Sequence, residues 1–200
     1  YENTRNEKLN KNLVKDFFMF FYEYLINSVE DDKIKSEYTK GIGKYSFSIE
    51  YDYVGKGEFP QLYFAYGSNM DKIQMDNRCP GAEPLAICKK WNYRTILNTR
   101  GVATIIPELG SICYGILWRV TKDHVKALDK YEGVRQGFYK KVNFSVMIDG
   151  YQIPCLVYIA ADDKIGSSIR PGYLNTLLRG IENFNGHSKW YNEIKQLGYV

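Results

Sequence analysis

From residue 61 onward the chain alternates in short apolar runs, and the spacing predicts a strand-rich domain. Leu62 to Ala65 reads as a brief buried strand. Trp91 to Leu97 and Val102 to Ile106 read as two more. Ile112, Tyr114, Ile116, Trp118 and Val120 alternate over another strand. Thr121 then suits an N-cap, with Asp123 in the first turn of a helix running to about Lys130. Val142, Phe144, Val146 and Ile148 alternate again, and Asp149-Gly150 supplies a two-residue hairpin turn to a return strand over Ile153 to Ala160. Pro171 opens a late helix carrying Tyr173, Leu174, Leu177, Leu178 and Ile181. Ser188 to Leu197 reads as a last helix ended by Gly198. Asp71 to Lys90, with its Cys79-Pro80-Gly81, reads as a loop. Many strands with few, late helices predict an α+β fold: a mixed or closed sheet with flanking helices.

The first 60 residues differ. Val14, Phe17, Phe18, Phe21, Tyr24, Leu25 and Val29 follow a helical period and make a wide aromatic face. Such a face needs a partner, either the main domain or a second copy, so a homodimer through this helix is one arrangement it allows. Tyr45, Phe47, Ile49, Tyr51 and Tyr53 alternate with polar residues as one strand. Gly55-Lys-Gly57-Glu-Phe-Pro60 breaks the pattern, so residues 1–60 are expected to form an N-terminal extension and 61–200 the main domain.

A chain of 200 residues can bury a self-sufficient core. Eighteen Tyr and ten Phe point to aromatic anchors within it. The net charge of +4 comes from scattered Lys and Arg, which is no footprint for nucleic acid but suits small anionic substrates. The apolar segment Leu13 to Ile26 is too short and too charged to span a bilayer. Cys79, Cys88, Cys113 and Cys155 have neither CxxC nor zinc-site spacing. Free thiols, a reducing compartment such as the cytoplasm, and no metal are the expectation.

Two stretches can carry chemistry. In Leu62-Tyr-Phe-Ala-Tyr-Gly-Ser-Asn-Met70 a strand ends in small polar residues. Gly67 lets backbone approach a ligand, and successive N–H groups in such a turn converge on an anion or an oxyanion. The same four residues also suit an ordinary strand-to-loop turn. In Leu128-Asp-Lys-Tyr-Glu132-Gly133 the carboxyl of Glu132 follows a helix C-terminus, whose partial negative charge disfavours a second one. That raises its pKa toward the range of a group that both takes and gives a proton. A solvated glutamate before a C-capping glycine fits the local sequence equally. His124 and His187 have no partners at ligand spacing, and no dinucleotide loop or GxSxG elbow is present.

Taken in order, these stretches resemble the γ-glutamylcyclotransferase (AIG2-like) family. The resemblance rests on Leu62 to Met70, Gly101-Val-Ala-Thr-Ile105, Gly115-Ile-Leu-Trp118, Leu128 to Val134, Gly137-Phe-Tyr139 and Cys155-Leu-Val-Tyr158, and it covers Gln61 to Leu197. It implies a barrel-like sheet of five or six strands with the site at its mouth. It implies that Tyr66, Gly67, Ser68 and Asn69 bind a γ-glutamyl head group, that Glu132 is the catalytic carboxylate, and that Tyr139 and Tyr158 line the pocket. No cofactor is implied. The implied substrate is a small γ-glutamyl amino acid or amine, cyclised to 5-oxoproline with release of the amine. Two other readings are a same-site enzyme acting on a biosynthetic γ-glutamyl or acyl amine, and a binding protein on this fold. The amine half is not specified by the sequence.

Overall fold

The computed structural model describes residues 61–199. The expected N-terminal helix and strand, and the homodimer through that helix, lie outside the described residues. Five strands close into a barrel in the order β1-β3-β2-β4-β5. They are β1 (Gln61–Ala65), β2 (Glu83–Leu97), β3 (Ala103–Val120), β4 (Tyr139–Ile148) and β5 (Tyr151–Ala160). All neighbours are antiparallel except β1 and β5, which run parallel with Tyr63 opposite Leu156. The α+β class and the mixed barrel follow the expectation. The closing seams are short: β2 meets β4 at Lys89 and Met147, and β1 meets β5 at Tyr63 and Leu156.

Helices connect and cover the barrel. They are α1 (Lys72–Arg78), α2 (Lys122–Tyr131), α3 (Tyr173–Glu182) and α4 (Ser188–Gln196). Their apolar residues, among them Met75, Leu128, Leu177, Ile181, Trp190 and Ile194, form one buried cluster with Tyr63, Ala65, Trp118 and Tyr158 of the strands. The Asp149-Gly150 turn forms as read, with both residues at positive φ.

Four readings need correction. Asp71 to Lys90 is not a loop. Asp71 caps α1 by accepting from the Ile73 N–H, and β2 begins at Glu83. Pro84 hides that strand because it removes a ladder donor, and the structure absorbs it at a register shift between Pro84 and Ala86. The two segments ending at Ile106 and starting at Ile112 belong to one strand, β3. The residues between them bulge out opposite Asn92, whose side chain accepts from the Gly110 N–H. Pro171 does not open α3, because Gly172 follows it at φ +73, outside helical space. Finally, α4 continues past Gln196 into a short 3-10 turn over Leu197–Tyr199 that contains Gly198.

Two devices hold the end of β1 in place. The chain leaves β1 through Tyr66 and Gly67 into a single 3-10 turn, Ser68–Met70. Gly180 of α3 lies so close that a Cβ there would sit 2.7 Å from Met70 Cβ. Asp71, fully buried, receives Arg179 of the same helix at 3.1 Å (Nε) and 2.5 Å (Nη2). The bidentate pair ties the turn to α3.

Candidate active site

Tyr66, Gly67, Ser68, Asn69, Glu132, Tyr139 and Tyr158, the seven residues singled out in the sequence, line one pocket. Tyr63, Ala103 and Tyr173 complete the wall. The empty volume, counted out to the mouth, is about 290 Å³.

Glu132 is delivered by the end of α2. It is the C-cap, and Gly133 follows at φ +62. The Gly133 N–H reaches the Lys130 carbonyl at 3.2 Å, and the Val134 N–H reaches that of Asp129 at 3.0 Å. This Schellman ending fixes the backbone from which the carboxylate projects. Only 14% of the Glu132 side chain is exposed. Burial raises its pKa above the ordinary 4.5, against Arg78, the Asn69 hydrogen bond and Arg100, all of which lower it. Desolvation wins this contest.

Asn69 is the hub. Its Nδ2 donates to Glu132 Oε1 at 3.0 Å and to the Tyr63 hydroxyl at 2.7 Å. Its Oδ1 accepts from Arg78 Nη1 at 2.6 Å and Gln74 Nε2 at 3.0 Å. With two donors on the oxygen, only one orientation of the amide satisfies every partner. Gln74 also donates to Ser68 Oγ at 2.6 Å. Arg78 lies 3.7 Å from Glu132 Oε1, and its guanidinium stacks 4.9 Å from the Tyr131 ring centre.

Tyrosines form the rest of the wall. Tyr66 donates to the Tyr158 carbonyl at 2.6 Å, and Tyr158 donates to Asp129 Oδ1 at 2.7 Å. The Asp129 carboxylate also receives Lys141 at 2.8 Å. Tyr173 accepts from the Ala103 N–H at 3.1 Å. Burial raises the pKa of Tyr63, Tyr66, Tyr139, Tyr158 and Tyr173, so each stays a neutral hydrogen-bonding group. Among the described residues no set of His, Cys, Asp and Glu gathers as metal ligands. The four cysteines are buried and unpaired.

The family model described as "Gamma-glutamyl cyclotransferase, AIG2-like" matches residues 63–174. The chain belongs to this family. Its curated relatives include the gamma-glutamylcyclotransferase of Mus musculus, 29% identical over 143 residues, covering 66% of this chain and 75% of the relative. That of Homo sapiens is 29% identical over 153 residues, covering 71% and 80%. A solved gamma-glutamyl cyclotransferase shares the fold at TM-score 0.63, with 24% identity over 68% of this chain and 86% of its own. An uncharacterized Homo sapiens protein superposes at TM-score 0.64, with 25% identity over 69% and 88%. The family model spans every residue picked out for the site, from Tyr66 to Tyr158.

Tyr63, Gln74, Arg78 and Tyr173 belong to the site although no sequence motif marks them for it. Tyr63 lies in the same quoted run and shares a strand face with Ala65. Arg78 could have been found from helix signals: Asp71 as N-cap, a basic residue in the last turn, and Pro80 just beyond.

Proposed function

We propose that the protein is a γ-glutamylcyclotransferase that converts a γ-glutamyl amino acid or amine to 5-oxoproline and the free amine. One observation carries the reading: a largely buried Glu132 carboxyl, its pKa raised, sits in the pocket beside a fully oriented Asn69 amide. Family membership and the names of the curated relatives support it.

The substrate supplies its own nucleophile. Its α-amino nitrogen attacks its own γ-carbonyl carbon, and a five-membered ring closes. Holding the chain folded removes much of the entropic barrier. Glu132 takes a proton from the α-ammonium group, which frees the lone pair. A C–N bond forms, the carbonyl becomes an oxyanion, and the original amide C–N bond then breaks. Two protons in all pass from the attacking to the leaving nitrogen, and Glu132 is placed to carry them. A raised pKa suits a carboxyl that must both accept and return a proton. The Met70 N–H closes the turn on the Gly67 carbonyl and the Ser68 N–H faces the Tyr173 hydroxyl, while the N–H groups at the start of the turn suit the substrate α-carboxylate or the oxyanion. Tyr66, Tyr139 and Tyr158 shape the wall around the γ-glutamyl head.

The test is release of 5-oxoproline from a panel of γ-glutamyl amino acids and amines, read by mass spectrometry, with Glu132→Gln beside the parent. Turnover is expected to fall by about 10²- to 10⁴-fold in the variant, with ligand binding retained. Undiminished turnover would remove Glu132 from the mechanism. No product from any panel member would favour a binding protein on this fold.

A further inference from the structure

Arg100 is not part of the pocket lining but stacks beside Tyr139, which is. Its turn is built with care. Asn98, fully buried, accepts from the Arg100 N–H at 3.1 Å and the Val102 N–H at 3.4 Å through Oδ1. Its backbone carbonyl accepts from the Gly101 N–H at 2.9 Å. Thr99 is pinned to Asp162 through both its N–H and its hydroxyl. Gly101, at φ +70, lets the chain pass where a Cβ would sit 2.8 Å from the Ser168 carbonyl. The Arg170 N–H donates to the Gly101 carbonyl at 3.0 Å. A well-anchored backbone therefore presents the Arg100 side chain.

That side chain has unmet capacity. The guanidinium lies 5.1 Å from the Phe138 ring centre and 5.4 Å from that of Tyr139, which lines the pocket. Its Nη2 is buried and has no hydrogen-bond partner. Among the described residues Arg100 makes no ion pair. The Asp162 carboxylate feels the Arg100 charge, but its hydrogen bonds come from Thr99 and the Lys164 N–H rather than from Arg100. A buried guanidinium donor left without an acceptor is costly, so a site that keeps one is suited to an incoming anion. The charge is felt in the pocket, where it favours the ionised forms of Glu132 and Tyr139. Arg170 adds a second positive charge acting on Tyr139.

We infer that Arg100 is a specificity-determining residue that reads a carboxylate on the leaving half of the substrate. The inference rests on the cyclotransferase reading of the pocket, and it selects γ-glutamyl amino acids over γ-glutamyl derivatives of neutral or cationic amines. Planar, forked donors match a carboxylate, and the Phe138 and Tyr139 rings hold the fork in place. Phe138 is 53% exposed, so its ring lies at the surface beside the guanidinium. A cationic leaving half would meet Arg100 and Arg170 with like charge.

The test uses two substrates that differ only in charge, γ-glutamyl-alanine and γ-glutamyl-alanine amide, with the full chain and its Arg100→Met and Arg100→Lys variants. The parent is expected to favour the carboxylate about 10- to 100-fold in kcat/KM, as fits one charge-assisted hydrogen-bond pair. Arg100→Met should bring that ratio to about 1, chiefly through KM, and Arg100→Lys should keep part of it. A ratio near 1 in the parent, or the same ratio in parent and Arg100→Met, overturns the assignment. Calorimetric titration of both compounds into Glu132→Gln, with and without Arg100→Met, reads the same preference without turnover. If no compound yields 5-oxoproline yet the affinity ratio depends on Arg100, the cyclisation falls and the carboxylate site stands. Equal affinities for acid and amide in Glu132→Gln overturn the site whatever the turnover.

Discussion

Asn69 donates to Glu132 Oε1 across 3.0 Å, and that bond joins the turn after β1 to the end of α2. Two segments more than 60 residues apart in sequence thus meet at one largely buried carboxyl. The amide can serve Glu132 because its oxygen is occupied by Arg78 and Gln74. Arg78 therefore acts twice, by fixing Asn69 and by stabilising the ionised carboxylate from 3.7 Å.

Replacing Arg78 by Met should move the acid limb of the pH–rate profile upward. In the proposed mechanism Glu132 must be ionised to accept a proton, so activity should fall as pH drops through its pKa. Arg78 lowers that pKa, and its loss raises it further above 4.5. The limb should shift to higher pH, and kcat/KM at neutral pH should drop roughly tenfold or more. Arg78→Lys should restore the limb more than the rate, because an ammonium supplies charge without the planar fork that holds Asn69. An unmoved limb in Arg78→Met would show that the two charges are not coupled.

The same carboxyl should make stability depend on pH. Its folded pKa lies above the unfolded value of 4.5, so the native state binds the proton more tightly. The contribution is fully present below the unfolded pKa and is lost as pH rises through the folded one. Glu132→Gln cannot ionise and should lack this component. Urea unfolding of parent and variant from pH 4 to 8 should show the parent losing stability relative to the variant across that window. Parallel curves would mean that Glu132 is not desolvated as the geometry indicates.

How much of this was legible in advance depends on where each signal resides. Tyr66 to Asn69, Glu132, Tyr139 and Tyr158 lie in short local runs, and the structure draws all of them to one pocket. The barrel strands with clean alternation, such as Phe144 to Ile148, were equally plain. Arg78 and Arg100 were not: the helix signals around Arg78 put it on α1 without pointing to the pocket, and Arg100 has no local signature. Arg78 sits in a segment that Pro80 and Gly81 make look like loop. Arg100 acquires its position only when Phe138 and Tyr139, almost 40 residues on, fold beneath it. The long β2–β3 pairing was obscured for a related reason. Pro84 and the Pro107 to Gly110 segment resemble breaks, yet register shifts and a bulge take them up.

Asp71 should be among the most sensitive positions outside the pocket. It is fully buried, caps α1 and receives both donors of Arg179. Asp71→Ala removes the cap and strands the pairing side of Arg179, which is itself partly exposed. A loss of roughly 2–4 kcal/mol in denaturant unfolding is expected. Arg179→Met leaves the buried carboxylate without its ion pair and should cost a comparable amount. If both variants unfold with the parent, the bond between the turn and α3 carries no weight.

Gly133 couples stability to chemistry. Its φ of +62 is a conformation that a side chain resists, and a Cβ there would lie 2.6 Å from Phe138 Cδ2. Gly133→Ala should cost about 1–2 kcal/mol from the left-handed backbone alone, with the Phe138 contact adding to it. The strain is applied one residue from Glu132, at the Schellman ending that aims the carboxylate. Turnover should therefore fall by more than the folded fraction does, measured under conditions where the variant is still mostly native. Leu128→Ala, which opens a cavity one turn earlier in α2 at a residue that is not part of the pocket lining, is the matching control. It should destabilise by about 2–5 kcal/mol while its native fraction turns over near the parent rate. Equal losses of rate per folded molecule in the two variants would show that the C-terminal geometry of α2 does not aim Glu132.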